Sequence, residues 1–240
     1  KEASTPLPSG FKDRPTTKGA ELPDVPFRNL VGSLLHLATT TRPDIATACS
    51  CLTRRMSCYS LYDWKVAKHV LRYLKGTANL CLQYDNSGNM TELVGYTDAS
   101  FEADYETGRS RTGFVLCIAN GPVSWNSRLQ RHVSTSTAEA EYIALSDAMK
   151  EIIFLRQLQQ ELTTGGCLGT APATLPPTTV FSDNQPAIAV ANLASSRMRH
   201  IRLLYHFTRE CIMDQAAQLQ YIASEQNPAD LLTKALSKKA

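Results

Sequence analysis

The fold of this chain is decided by a run of β-forming residues that ends in an acid, Leu93-Val94-Gly95-Tyr96-Thr97-Asp98. Two similar runs follow at residues 112–118 and 123–125, on either side of the turn residues Asn120 and Gly121. Short runs of β-forming residues joined by tight turns predict an antiparallel meander of three strands.

The elements predicted after this meander complete an α/β protein. Residues 136–162 have the apolar spacing of a long helix, with Ser136 or Thr137 as its N-terminal cap. Two strands and three helices then follow, the strands at 179–182 and 219–222 and the helices at 185–193, 205–215 and 227–236. This order predicts a mixed five-stranded sheet flanked by helices.

Upstream of the meander the pattern is mainly helical. Residues 26–78 carry apolar residues at helical spacing in three runs, the last of which ends at Gly76. Residues 1–25 are rich in Pro, Ser and Thr and offer little to bury. We predict a flexible linker over 1–25, a small helical segment over 26–78 and an α/β domain over 79–240, with an additional strand at 80–84.

Composition limits the classes of function. The 240 residues are 43% hydrophobic and 20% charged, which is typical of a globular protein. The formal net charge is only +3, so any surface that binds nucleic acid must be local. No apolar run approaches the roughly 18 residues of a membrane-spanning helix, so we expect a soluble chain with no membrane partner. Seven cysteines, scattered and odd in number, indicate a reduced intracellular chain.

Three aspartates follow or precede predicted elements at positions where active sites are often built. Asp98 and Asp183 end predicted strands, and Asp230 lies in the first turn of the last predicted helix. All three can point into one crevice at the carboxyl ends of the strands. Taken singly, each is equally typical of a turn or a helix cap, and spacing does not prove that they meet.

Glu141 is a fourth candidate because of its place on the long predicted helix. Its helical stripe is otherwise apolar and contains Leu145, Ala148, Met149, Ile152 and Leu155. A carboxylate on a buried stripe is costly unless it is paired or bound to a metal ion. Glu139 is expected to turn away from this stripe, toward Ser146 and Lys150.

Four converging carboxylates would repel one another, and each would raise the pKa of the next. Two Mg²⁺ ions, about 3.5–4 Å apart, remove that conflict and can hydrolyse a phosphodiester without a nucleophilic side chain. Mn²⁺ is expected to substitute for Mg²⁺.

The four acids lie within longer motifs that occur in a fixed order. These are residues 95–99, 109–115, 123–127, 134–145, 182–188, 199–201, 205–207 and 229–234. They resemble the ribonuclease H domain of copia-type LTR-retrotransposon Pol polyproteins. Residues 30–35, 41–45 and 70–77 resemble the connection segment that ends the reverse transcriptase in those polyproteins.

The resemblance implies a ribonuclease H-like fold and endonucleolytic hydrolysis of the RNA strand of RNA/DNA hybrids during reverse transcription. The family's metal-binding acids correspond to Asp98, Glu141, Asp183 and Asp230. The implied partners are the hybrid and the remainder of the reverse transcriptase polyprotein, in cytoplasmic virus-like particles and the nucleus. Oligomeric state is not determined by the sequence. The alternative is a catalytically idle module that binds or tethers the hybrid.

Basic and polar residues suggest where a hybrid would bind. Arg199, His200 and Arg202 precede a predicted helix and suit a phosphate track, although a merely solvated basic face is the alternative. Further arginines crowd the loops between the early strands, namely Arg109, Arg111, Arg128 and Arg131. Ser134, Asn184 and Gln185 are candidates for contacts with the 2′-hydroxyls that distinguish RNA from DNA.

Overall fold

The N-terminal part of the chain is a helical unit with its own core. A computed structural model describes residues 2–11, 13, 21–85, 92–165, 175–192 and 202–235. The unit contains α1 (Phe27–Thr40), a 3-10 turn (Pro43–Ile45), α2 (Ala46–Thr53) and α3 (Leu61–Gly76). Its buried side chains come from all three helices and include Phe27, Leu34, Leu52 and Val70.

Several residues of the predicted linker contact this unit, among them Leu7 and Asp13. Leu7 is buried in the helical core. The carboxylate of Asp13 lies 2.6 Å from the guanidinium of Arg54 and also pairs with Arg55. The stretch over 1–25 therefore contributes side chains to the helical unit, and the boundary near residue 78 stays a prediction.

The second unit is built on a five-stranded sheet. The strands are β1 (Leu93–Ser100), β2 (Arg111–Ile118), β3 (Gly121–Leu129), β4 (Thr178–Ser182) and β5 (Ala217–Tyr221), and their order is β3-β2-β1-β4-β5. β1, β2 and β3 form the predicted antiparallel meander, whereas β4 runs parallel to β1 and β5 parallel to β4. The predicted α/β class with a mixed five-stranded sheet is confirmed.

A long helix covers one face of this sheet. α4 (Thr137–Thr164) begins at Ser136, whose hydroxyl accepts the N–H of Glu139. Its apolar stripe packs on β1 and β2, with Met149 and Ile152 fully buried. Two shorter helices, α5 (Gln185–Asn192) and α6 (Arg202–Met213), lie between β4 and β5 in sequence. None of the helices in the described part of the chain has the length and apolar character needed to cross a membrane.

The additional strand predicted at 80–84 is wrong. This segment does not join the sheet and lies against the turn between β2 and β3, where the Tyr84 hydroxyl donates to the Pro122 carbonyl at 2.9 Å. The Tyr84 ring occupies the space that a side chain at position 121 would need, because a Cβ on Gly121 would lie 2.3 Å from a ring carbon. The packing of Tyr84 and one backbone bond, from the Asp85 N–H to the Ala119 carbonyl at 2.7 Å, therefore hold this segment against the turn.

The last predicted helix is also different in type. Within 227–235 the chain forms a 3-10 helix, Pro228–Leu232, which we call the Asp230 turn. Asn227 caps it by accepting the N–H of Ala229, and Thr233 ends it. Residue 236 lies outside the described residues.

Several hydrogen bonds join the two units. The Trp125 indole N–H donates to the Ala38 carbonyl at 2.6 Å. The buried guanidinium of Arg111 donates to the Ser50 hydroxyl at 2.6 Å. Such directional contacts fix the placement of one unit on the other.

Candidate active site

The parallel pairing of β1 and β4 brings two of the predicted acids side by side. Thr97 of β1 pairs with Ser182 of β4, and each is followed directly by one of the acids, Asp98 or Asp183. α4 crosses β1 and presents Glu141 to the same place. One carboxylate oxygen from each of Asp98, Glu141 and Asp183 lies within 4.8 Å of the other two. We call these residues the three-acid group.

Asp230 lies beside the three-acid group and is not a member of it. One of its oxygens accepts a hydrogen bond from the Lys234 ammonium at 2.7 Å. The same ammonium lies 3.6 Å from Asp98 Oδ2. Three of the four predicted acids are therefore brought together, and Lys234 links the fourth to them.

Asn227 and Thr233, which were not among the predicted site residues, hold the Asp230 turn against the sheet. The Asn227 side-chain amide donates to the Thr97 carbonyl at 2.9 Å, and the Thr233 hydroxyl donates to Asp98. Gly113, which lies on β2 opposite Asp98 of β1, leaves room for this approach, since a Cβ at position 113 would lie 2.6 Å from Thr233. Lys234 was also not predicted. The sequence signal for its pairing was the four-residue spacing from Asp230, which places opposite charges on one side of a helical turn.

Burial dominates the electrostatics of the three-acid group. It raises the pKa of Glu141 to about 9, and the charges of Asp98 and Asp183 act in the same direction. Burial also raises the pKa of Asp98 to about 6, against the hydrogen bond from Thr233 and the charge of Lys234. Burial lowers the pKa of Lys234, but its hydrogen bond to Asp230 and the charges of Asp98, Asp230 and Asp183 together outweigh this effect, and the net shift is upward.

One oxygen of the group is suited to a metal ion. Glu141 Oε2 is buried and accepts no hydrogen bond within the described part of the chain. The backbone N–H of Ala99 bonds the carboxylate and lowers its pKa, which favours the charged form. An uncompensated buried carboxylate oxygen beside two further carboxylates fits a hard divalent cation such as Mg²⁺.

Glu139 lies outside the three-acid group. It is only 1% exposed. Its carboxylate accepts the N–H of Thr135 at 2.8 Å and the hydroxyl of the same residue at 2.6 Å. It therefore stabilises the loop that leads into α4.

Ser134, a predicted substrate contact, is a buried residue of the loop before α4. Ser134 is 3% exposed, and its hydroxyl donates to the side-chain carbonyl of Gln130. The Gln130 amide donates in turn to the Ala140 carbonyl, beside Glu141, at 2.8 Å. Ser134 and Gln130 thus fix the start of α4, because a buried loop must satisfy its own polar groups.

The remaining predicted substrate residues divide into three cases. Asn184 follows Asp183 and caps α5 by accepting the N–H of Ala187, and Gln185 is exposed next to it. Arg199 and His200 lie outside the described residues, and only the backbone of Arg202 is described, at the start of α6.

The arginines between the early strands do not form one free basic surface. Arg111 is buried between the two units, and Arg128 pairs with Asp147 at 2.7 Å. Arg109 and Arg131 are exposed. Two of the four arginines therefore have structural partners.

The order of the sheet and the three-acid group define an α/β protein of the ribonuclease H-like class. A foamy viral protease-reverse transcriptase (dRH) in complex with ds DNA has a similar fold, with a TM-score of 0.53 and 11% identity over 85% of this chain and 33% of that one. No family model matches the chain.

Relatives in sequence define the family. The chain is 36% identical over 242 residues to the retrovirus-related Pol polyprotein from transposon TNT 1-94 of Nicotiana tabacum, across 98% of this chain and 17% of that protein. It is 34% identical over 225 residues to that from transposon RE2 of Arabidopsis thaliana, across 92% and 15%. The chain belongs to the retrovirus-related Pol polyproteins of transposons and spans about a sixth of the length of these relatives.

Proposed function

We propose that this chain is a divalent-metal-dependent nuclease that hydrolyses the RNA strand of RNA/DNA hybrids during reverse transcription of a retrotransposon. The observation that carries the proposal is the three-acid group with its unpartnered Glu141 oxygen, at the junction of β1, β4 and α4. Membership of a Pol family supports the hybrid as substrate.

Asp98, Glu141 and Asp183 would hold the metal, with Asp230 reaching it from the adjacent turn. Mg²⁺ is the proposed ion and Mn²⁺ its substitute, since carboxylate oxygens suit both. When bound, a pair of such ions activates a water and stabilises the leaving oxygen of a phosphodiester.

The chain's own hydrogen bonds orient these acids before any ion binds. Thr233 holds Asp98 from the side of the Asp230 turn, and the N–H of Ala99 holds Glu141 from β1. The Lys234 ammonium offsets part of the negative charge near Asp98 and Asp230. Preorganised ligands lose less freedom when a metal binds, which favours binding.

For the substrate, we propose that exposed Gln185 and the side-chain amide of Asn184 contact the RNA strand beside Asp183. Arg199, His200 and Arg202 would supply phosphate contacts, whose contribution falls with salt. The proposed partner is the remainder of a Pol polyprotein, in virus-like particles of the cytoplasm and in the nucleus.

The test is a cleavage assay with the full chain and a labelled RNA/DNA hybrid, in Mg²⁺, in Mn²⁺ and in EDTA. We expect cleavage of the RNA strand with either metal and none in EDTA, whereas duplex DNA of the same sequence stays intact. Binding of the hybrid without cleavage under every metal condition would support the alternative, an idle module that tethers the hybrid. Cleavage that persists in EDTA would contradict the role of the three-acid group.

A further inference from the structure

The helical unit makes direct contact with the turn that carries Asp230. The hydroxyl of Thr47, in α2, donates to the backbone carbonyl of Leu231 at 2.9 Å. Thr47 is only 5% exposed, so water does not readily replace this bond. Leu231 directly follows Asp230, and the contact therefore bears on the position of the fourth acid.

The Asp230 turn depends on such outside contacts because its internal bonding is weak. It is a 3-10 helix of five residues, and its hydrogen bonds from Thr233 N–H and Lys234 N–H to the Asp230 carbonyl are 3.2 and 3.1 Å long. Short 3-10 segments have poorer hydrogen-bond geometry than α-helices and open easily unless other elements hold them.

Besides the bond from Thr233 to Asp98, two anchors hold the turn, one from each unit. Asn227 ties its start to β1 through the Thr97 carbonyl, and Thr47 ties its end to the helical unit through the Leu231 carbonyl. The first anchor belongs to the α/β unit itself. The second belongs to a segment that precedes that unit in sequence.

α2 is itself fixed firmly enough to serve as an anchor. The Ser127 hydroxyl, from β3, donates to the Thr47 hydroxyl at 3.3 Å. The Arg111 guanidinium, from β2, donates to the Ser50 hydroxyl and lies 3.3 Å from the Cys51 sulfur. Thr47 thus links the Asp230 turn to β3 through Ser127, and to β2 through the rest of α2.

We propose that Thr47 is a positioning residue through which the helical unit sets the place of Asp230 and thereby the metal affinity of the three-acid group. The proposal rests on the proposed metal-dependent function. The helical unit is then a structural part of the active site.

The test compares the wild-type chain with Thr47→Val, Thr47→Ser and Thr53→Val. Val keeps the shape of Thr but leaves the Leu231 carbonyl without its donor, whereas Ser keeps the hydroxyl. Thr53 is the matched control, since it lies on the same helix and its hydroxyl donates to the Ser50 carbonyl of that helix. The readouts are hydrogen exchange of the Thr233 and Lys234 amides in EDTA, and the Mg²⁺ concentration that gives half of the maximal rise in melting temperature.

For Thr47→Val we expect amide exchange at 233 and 234 to be faster by about three to ten times, from loss of one hydrogen bond. The half-saturating Mg²⁺ concentration should rise by a similar factor. Thr47→Ser should restore both values, and Thr53→Val should match the wild type. Exchange at 233 and 234 that is equal in Thr47→Val and Thr53→Val would overturn the proposal. So would faster exchange with an unchanged Mg²⁺ requirement.

The two readouts separate this proposal from the proposed function. If Mg²⁺ fails to stabilise even the wild type, the metal-dependent function fails and the positioning of a metal site fails with it. The exchange data would then still show whether α2 holds the Asp230 turn. If the wild type responds to Mg²⁺ and Thr47→Val responds identically, only the proposal about Thr47 fails.

Discussion

The two sides of the candidate site are built in different ways. Asp98 and Asp183 continue two paired parallel strands, and Glu141 lies on a helix of 28 residues, so regular backbone hydrogen bonds fix all three. Asp230 lies on a five-residue 3-10 helix that depends on side-chain anchors. The regular side fixes where a metal would bind, and the position of the turn side depends on its side-chain anchors.

Two acids of the regular side, Asp98 and Glu141, are also more deeply buried than Asp230 on the turn side. Asp98 is 1% exposed and Glu141 4%, whereas the Asp230 side chain is 20% exposed and paired with Lys234. Buried acids suffer most from unneutralised charge, and the pKa values of Asp98 and Glu141 are raised accordingly. The regular side therefore has the greater need of a cation.

The largest effect is expected on the regular side. Asp183→Asn keeps the size of the side chain but removes one ligand charge, so hybrid cleavage should fall by about a thousandfold or more. Affinity for the hybrid in EDTA should be retained, and the melting temperature in EDTA should be equal or higher because repulsion is relieved. Asp147→Asn is the control, since Asp147 pairs with Arg128 and Lys150 outside the site. Equal cleavage by Asp183→Asn and wild type would refute the metal assignment.

A smaller loss is expected on the turn side. Asp230→Asn should reduce hybrid cleavage by roughly ten to a hundredfold, because the three-acid group remains intact and the lost carboxylate is 20% exposed and paired with Lys234. The measurement is the initial cleavage rate at saturating Mg²⁺ for both variants in parallel. A loss as large as that of Asp183→Asn would show that the two sides contribute alike.

Stability without metal should fall as pH rises. In the folded chain, burial raises the pKa of Glu141 to about 9, whereas its ordinary pKa is 4.5. The unfolded chain therefore releases that proton at a lower pH than the folded chain. The contribution of protonated Glu141 to stability is complete below pH 4.5 and is lost as pH rises toward its folded pKa of about 9. Asp98 contributes in the same way up to its folded pKa of about 6. Melting temperature in EDTA should drop by several degrees over this range. Glu141→Gln should flatten the curve, and an equally steep curve for this variant would assign the effect to other groups.

The smallest predicted change concerns the close approach of the Asp230 turn to the sheet. Gly113→Ala would place a Cβ 2.6 Å from Thr233 and 2.9 Å from Leu232, so the turn must shift. We expect a loss of about 1–3 kcal/mol in the free energy of unfolding. Gly32→Ala is the control, because nothing lies within 4 Å of its Cβ and alanine favours a helix. Equal stability of Gly113→Ala and wild type, measured by urea unfolding, would mean that the turn is not tightly packed there.

The sequence predicted the regular side well, because periodicity reports which face of an element is buried. The stripe through Glu141 predicted both the length of α4 and the burial of that carboxylate. By contrast, the alternating pattern at residues 80–84 predicted a strand, and this segment lies outside the sheet. The packing of Tyr84 over Gly121 depends on contacts between distant residues, and no local pattern encodes such contacts.

The turn side was predicted only in part. Asp230 was identified, but Asn227, Thr233 and Lys234 were not, because their roles depend on the approach of the turn to β1. Ser134 was predicted as a contact for the RNA strand, because nothing local in the sequence marks its bond to Gln130. Polar residues in loops are ambiguous in sequence, because both substrate contacts and buried hydrogen bonds use the same side chains.

The most direct test of the metal centre is an anomalous difference map from a crystal of the wild-type chain grown with Mn²⁺. We predict a manganese peak bounded by the carboxylates of Asp98, Glu141 and Asp183, with Asp230 and Lys234 at its edge. The peak should be lost in an Asp183→Asn crystal grown in the same way. Full density for these three side chains with no manganese peak between them at saturating Mn²⁺ would contradict the account.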